Sequence, residues 1–265
     1  MSPTSFIACT ALSFVAGTFG GLAGVGGSMI ILPGLHWILG SGGAKSEVHH
    51  LYMASAMCVN MVTAFVAQIK HKAAGAVRKD LLLRLALSAV VGVIIGVLIS
   101  NQFQGVWLKW TLAVFMMGYV VLNIYKLVGR KVEPHLDYAR VDTARLLAIG
   151  LTTGVVAGFL GLGGGLIMVP LLQVVCNVSL RHSIGTSSAA MWFIAMAASS
   201  LKLATLSEHG QSAWLALGLA GAMVPGAMIG ARLGSHLTHS LPLVWVRGII
   251  TAILLVAALK LVGVW

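Results

Sequence analysis

The chain has 265 residues, 58% of them hydrophobic and only 9% charged, against roughly 25% charged in ordinary soluble domains. That balance excludes a water-soluble globular enzyme and requires an integral membrane protein. The net charge of +11 does not point to nucleic acid, because the 17 Lys and Arg sit in short connections between apolar runs, where they set insertion orientation and meet anionic lipid head groups.

The apolar runs fall at about 5–24, 28–39, 51–69, 81–100 and 106–128, then at about 144–162, 165–177, 184–205, 212–232 and 244–262. Runs of about 20 residues suit helices crossing a hydrocarbon core roughly 30 Å thick, and no barrel-type alternation is visible. The fold class is therefore an all-α polytopic membrane protein. Met1 to Gly17 has no Lys or Arg ahead of its apolar stretch, unlike a secretory signal, and is expected to belong to the mature fold. The second run, led by Gly24-Val25-Gly26-Gly27-Ser28, is only about 12 residues, or roughly 18 Å of helix, too short for a comfortable crossing. The third carries Ser55 and Asn60, the fourth Gly92-x-x-x-Gly96, and the fifth opens on Trp107-Leu108-Lys109. A polar linker at 129–143 follows.

The second half repeats the first. Gly17 to Pro33 and Gly154 to Pro170 share seven of 17 positions, five of them Gly. Gly226-x-x-x-Gly230 matches the first GxxxG, and Trp245-Val246-Arg247 matches Trp107-Leu108-Lys109. Residues 1–128 and 144–265 are thus read as two five-element repeats joined by a cytoplasmic linker. Each holds a glycine-broken hairpin and three full crossings, about eight spans by simple count, and this odd number inverts the second repeat relative to the first. With loops 70–80 and 129–143 cytoplasmic, the inverted arrangement leaves Lys45, Lys109, Lys202 and Lys260 opposite the other 13 basic residues, as the positive-inside rule prefers. A parallel arrangement gives 12 to 5, so charge alone does not decide.

Glycine and proline break helices and free backbone groups, which lipid tolerates only where they line a cavity or are buried in protein. A broken segment at corresponding places in two halves points to a transporter's binding site. Gly24, Gly26, Gly27 and Ser28, and Gly161, Gly163, Gly164 and Gly165, each precede a short helix whose N-terminus offers free N–H donors and a partial positive charge. Two such loops meeting near the midplane would cradle an anion. Asn60, Ser55, Thr186 and Ser187 are further candidate donors, and His182 could gather anions at the mouth. The GxxxG pairs are assigned to helix packing. The six acids Glu47, Asp80, Glu133, Asp137, Asp142 and Glu208 all fall in loops, which speaks against an acidic proton relay and favours anions over cations. No cofactor or metal is expected: Cys9, Cys58 and Cys176 have no ligand spacing, and His49-His50 are adjacent rather than four apart. His36 is read as a hydrogen-bonded core residue.

The paired glycine motif, with Gly185-Thr186-Ser187 opening the following span, resembles the TauE/SafE family of sulfite and organosulfonate exporters along essentially the full length. The first half departs from the second at Ser28, where the second has Gly165, and at Met53-Ala54-Ser55, where it has Gly-Thr-Ser. The resemblance implies a bacterial inner-membrane permease of about eight crossings that moves small sulfur oxyanions such as sulfite or sulfoacetate. Its expected partners are a small anionic substrate and the bilayer. Related permeases that handle thiosulfate place cysteines at the loop constrictions, and no Cys adjoins these loops, so import of thiosulfate or sulfate ranks lower. A non-transporting membrane subunit is a further alternative. A serine hydrolase built on Ser28 or Ser187 with His182 lacks the buried acid that would orient the base. Transport would proceed by rocking of one repeat against the other.

Overall fold

The computed structural model describes residues 3–40, 48–128 and 142–241, together with 248, 251, 252, 255, 256 and 259. The linker expected at 129–143, apart from Asp142 and Thr143, lies outside them, as do Glu47 and Trp245 to Arg247. Among the described residues the chain is helical, with no strand. In order the helices are α1 (Pro3–Ala23), α2 (Ser28–Ile38), α3 (Val48–Ala73), α4 (Lys79–Asn101), α5 (Gly105–Val128), α6 (Thr143–Leu160), α7 (Gly165–Val175), α8 (Leu180–Ala204) and α9 (Ala213–Ser240), with a single 3-10 turn (Leu206–His209) before α9. Six of them, α1, α3, α4, α6, α8 and α9, are long and apolar enough to cross a membrane. The first member of each glycine-broken hairpin, α1 or α6, is thus of spanning length, and only the returning α2 and α7, 11 residues each, are short.

Glycine seams set the packing. A Cβ on Gly17 or Gly21 of α1 would strike the main chain at Ala227 and Ala231 of α9, and one on Gly226, Gly230 or Gly234 of α9 would strike Thr10, Phe14 and Thr18 of α1. Residue numbers rise together along this seam, so α1 and α9 run parallel. The same holds between α4 and α6, where Gly92 and Gly96 meet Leu151 and Val155, and Gly150, Gly154 and Gly158 meet Leu85, Ala89 and Val93. In lipid no hydrophobic force draws helices together, so close backbone approach over small residues supplies the attraction. Gly96→Val in this seam should destabilise the fold by about 1–3 kcal/mol through overpacking, read as an unfolding midpoint roughly 5 °C lower in detergent. Gly118→Val, at a site with nothing within 4 Å, should shift it by no more than about 1 °C.

Helices α3 and α8 pass each other antiparallel at the centre. His50 at the start of α3 meets Lys202 near the end of α8, Phe65 meets Trp192, and Ala76 beyond α3 meets Gly185 near the start of α8. Exposed Trp37, Trp107 and Trp214 all lie at the His50 end, as expected of an interfacial aromatic belt. Exposed Leu83, Leu87, Val91 and Leu98 make α4 an apolar outer face.

Candidate functional site

Each hairpin turns on glycines that only a residue without Cβ accommodates easily. Gly24 and Gly26 in the first turn have φ of 64° and 86°, and Gly161, Gly163 and Gly164 in the second have 74°, 77° and 89°, all in the left-handed region. Gly24 and Gly161 close helices α1 and α6 by donating to Gly20 O and Ala157 O. Helices α2 and α7 then begin, with Gly27 O and Gly164 O accepting their first bonds. The N–H groups of Val25, Gly26, Ser28 and Met29, and of Gly163, Gly164, Gly165 and Leu166, find no acceptor among the described residues.

The two turns meet. A Cβ on Gly165 would run into the carbonyl of Gly24 and the Cα of Val25, so the loops of the two hairpins lie directly against one another. Between them stands Asn60, fully buried, the thirteenth of the 26 residues of α3 and so roughly 18 Å from either end. Its Oδ1 accepts from Gly27 N–H at 3.0 Å, which fixes the orientation of the amide. A Cβ on Gly26 or Gly163 would strike the Asn60 amide, so this one side chain touches both loops. Its Nδ2 has no acceptor. Met191 of α8 occupies the opposing position, against Gly26 and Gly165.

The site is therefore built almost entirely of donors. Buried polar groups are normally satisfied, and an orphan calls for an explanation. An oxyanion, which only accepts, would satisfy an amide N–H₂ and several main-chain N–H groups at once. No acid opposes it: the described acids Asp80, Asp142 and Glu208 are exposed.

The other candidate side chains are engaged with the protein. Ser187 donates to Gly24 O at 2.8 Å, tying α8 to the first loop. Ser28, at the start of α2, donates to Ala56 O at 3.3 Å. Ser55 donates to Leu51 O and to Ala216 O of α9. Thr186 accepts from Arg78 N, and the His182 ring contacts Ala76 O, so both lie at the turn between α3 and α4 rather than beside Asn60. Of the candidates, the structure gathers the glycines, Asn60, Ser28 and Ser187. It adds Thr153 of α6, buried, with an unpartnered Oγ1 and its methyl against Gly164. The signal was present at the repeat spacing of 137, where Thr153 corresponds to Ala16, which faces Gly27. Ser188, next to Ser187 in the Thr186-Ser187-Ser188 run, also has a buried hydroxyl without a partner.

A family model described as Sulfite exporter TauE/SafE matches residues 9–261. The chain belongs to that family. Among the chain's relatives, "Probable membrane transporter protein MamO" of Paramagnetospirillum magneticum is 26% identical over 98% of this chain and 45% of its own length. "Probable membrane transporter protein YunE" of Bacillus subtilis is 24% identical over 89% of this chain and 90% of its own. A "Probable membrane transporter protein" of Xylella fastidiosa is 27% identical over 83% and 80%. The chain spans less than half the length of the MamO protein. No solved structure matches. With six helices among its described residues long and apolar enough to cross a membrane, this TauE/SafE protein is an integral membrane protein of a transporter family.

Proposed function

We propose that this protein exports small sulfur oxyanions such as sulfite or sulfoacetate across a bacterial inner membrane, holding the anion between its two glycine loops near the midplane. The observation that carries the reading is Asn60 Nδ2, buried, unpartnered and touching both loops. Around it the N–H groups of Gly26, Ser28, Gly163, Gly164 and Gly165 replace the water the anion sheds, without a fixed charge that would hold it too tightly to release. Ser187 steadies the first loop. Thr186 and His182 mark the entry on the side of loop 70–80, which we place, with linker 129–143, in the cytoplasm.

We further infer that the repeats 1–128 and 144–265 are inverted. What supports this is the antiparallel passage of α3 and α8, the third elements of each half, together with the exchange of partners: α1 packs on α9 as α6 packs on α4. These seams join helices of different halves. Rocking one entire repeat against the other would tear both, so the moving bodies are better drawn as α1, α2, α3 and α9 against α4, α6, α7 and α8, with the site at the α3–α8 boundary between them.

The test is uptake of ³⁵S-labelled sulfite, sulfoacetate, thiosulfate and sulfate into proteoliposomes. Flux of sulfite or sulfoacetate at least tenfold above protein-free vesicles is expected. A background rate for all four anions would sink the proposal, and flux of thiosulfate or sulfate alone would move the substrate class.

A further inference from the structure

The loops leave unused a second buried polar group, a positively charged one. Lys202 of α8 is fully buried, yet no carboxylate pairs with it among the described residues. Its Nζ meets three neutral groups: His50 Nδ1 at 2.8 Å, Ser100 Oγ at 3.1 Å and Asn101 Oδ1 at 2.6 Å. All three ammonium donors are thereby used. A packed apolar residue would be cheaper here, and an ionisable residue inside a membrane bundle marks a functional site by default.

With Lys202 as an ammonium, the same contacts set the tautomer of His50. Nδ1 accepts from the ammonium, and Nε2 lies 3.1 Å from Phe103 O, a carbonyl that can only accept. The ring is therefore neutral with its proton on Nε2. Phe103 belongs to an exposed turn between α4 and α5, so the sequence Lys202 Nζ, His50 Nδ1, His50 Nε2 leads from a buried ammonium to the surface.

We propose that Lys202 and His50 form a proton-carrying site that couples solute passage to proton movement. The ammonium gives a proton to His50 Nδ1, leaving a neutral amine and an imidazolium. The imidazolium then releases its Nε2 proton to water at the Phe103 turn, and uptake runs the steps in reverse. The group is faced from every side by ionisable neighbours: His209, stacked on His50 at 3.8 Å, and Glu208 from the 3-10 turn, His49 from α3, and Lys109 of α5 acting on His49. His36 of α2, hydrogen-bonded to His49 at 2.9 Å with Tyr52 on its edge, completes the ring. With several imidazoles this close to one cation, adding a charge at one discourages it at the next, so the cluster carries few protons at a time. Helix α8 links the two places: Met191 of the anion site stands 11 residues, roughly 17 Å, from Lys202 on the same rigid element.

This inference rests on the anion-carrier reading, and a binding measurement separates the two. Calorimetry of the detergent-solubilised protein with sulfoacetate, thiosulfate and sulfate, all ionised near pH 7, in two buffers of different ionisation enthalpy counts protons exchanged per anion bound. About one is expected for the native chain. His50→Gln keeps an acceptor toward Lys202 and a donor toward Phe103 O but carries no proton, and it should bring the count near zero while changing affinity less than tenfold. Lys202→Met should do the same. Binding with no proton exchange in the native chain, or an unchanged count in His50→Gln, overturns the coupling and leaves the anion site standing. No binding of any of the three anions overturns both.

Discussion

Asn60→Asp is expected to reduce anion uptake by about 1,000-fold while the protein remains folded in the membrane. The substitution nearly preserves shape and keeps an oxygen to accept from Gly27 N–H, the 3.0 Å bond that ties α3 to the first loop. What changes is the other half of the amide: a free donor between the loops becomes a carboxylate oxygen. Two like unit charges 4 Å apart at an effective dielectric near 20 repel by about 4 kcal/mol, and each 1.4 kcal/mol is tenfold. Asn60→Ala supplies the comparison. It removes the donor and leaves Gly27 N–H unpaired, a penalty of about 1–3 kcal/mol, but adds no charge, so it should retain more uptake than Asn60→Asp. A solute that is a cation would reverse that order, because a carboxylate would help it. Labelled uptake by the two variants, normalised to protein recovered in the vesicles, decides the sign of the solute's charge at Asn60.

Gly163→Val should bring flux to background with membrane insertion unimpaired. Gly163 has φ of 77°, a region that disfavours every L side chain and most of all a β-branched one. Its Cβ would also overlap the Asn60 amide. Strain and overlap act on the turn that aims the donors, so the second loop must withdraw from Asn60. Insertion responds instead to the hydropathy of whole helices, which one loop residue leaves unaltered. The variant should therefore appear in the membrane fraction at close to native amounts. Gly163→Ala, smaller but still at positive φ, should lose at least about tenfold. Gly118→Val should transport within about twofold of the native chain.

The elements were legible in the sequence because lipid imposes few choices. A long apolar run must satisfy its backbone internally as a helix, and the observed bounds of α1 to α8 follow the apolar runs to within four residues, while α9 continues to Ser240, past the end of its run. Gly24, Gly26, Gly161 and Gly163 were legible as turns for a related reason: clustered glycines inside such runs are conspicuous, and their recurrence 137 residues apart shows a motif. The GxxxG pairs were legible as packing positions, though not which helix each would meet. Asn60 stood out as a mid-span amide. Ser55, Thr186 and His182 stood out equally, and nothing local separates a hydroxyl that faces a cleft from one that bonds a neighbouring carbonyl. Lys202 is inconspicuous in the sequence, because it lies at the end of its apolar run, within a few residues of Glu208 and the polar turn.

By itself, then, the amino-acid order determined that this is a helical membrane protein, where its helices break, and that the two breaks share a glycine motif 137 residues apart. Those properties depend on local backbone chemistry and on periodicity along the chain, both of which a linear string records. Only the folded molecule decided that α1 lies along α9 and α4 along α6, that both loops close on Asn60, and that Lys202 is sealed among His50, Ser100 and Asn101. Each of these depends on which surfaces meet between segments far apart in the chain, and in a bilayer that choice is made by the fit of small residues between helices that all look alike in hydropathy.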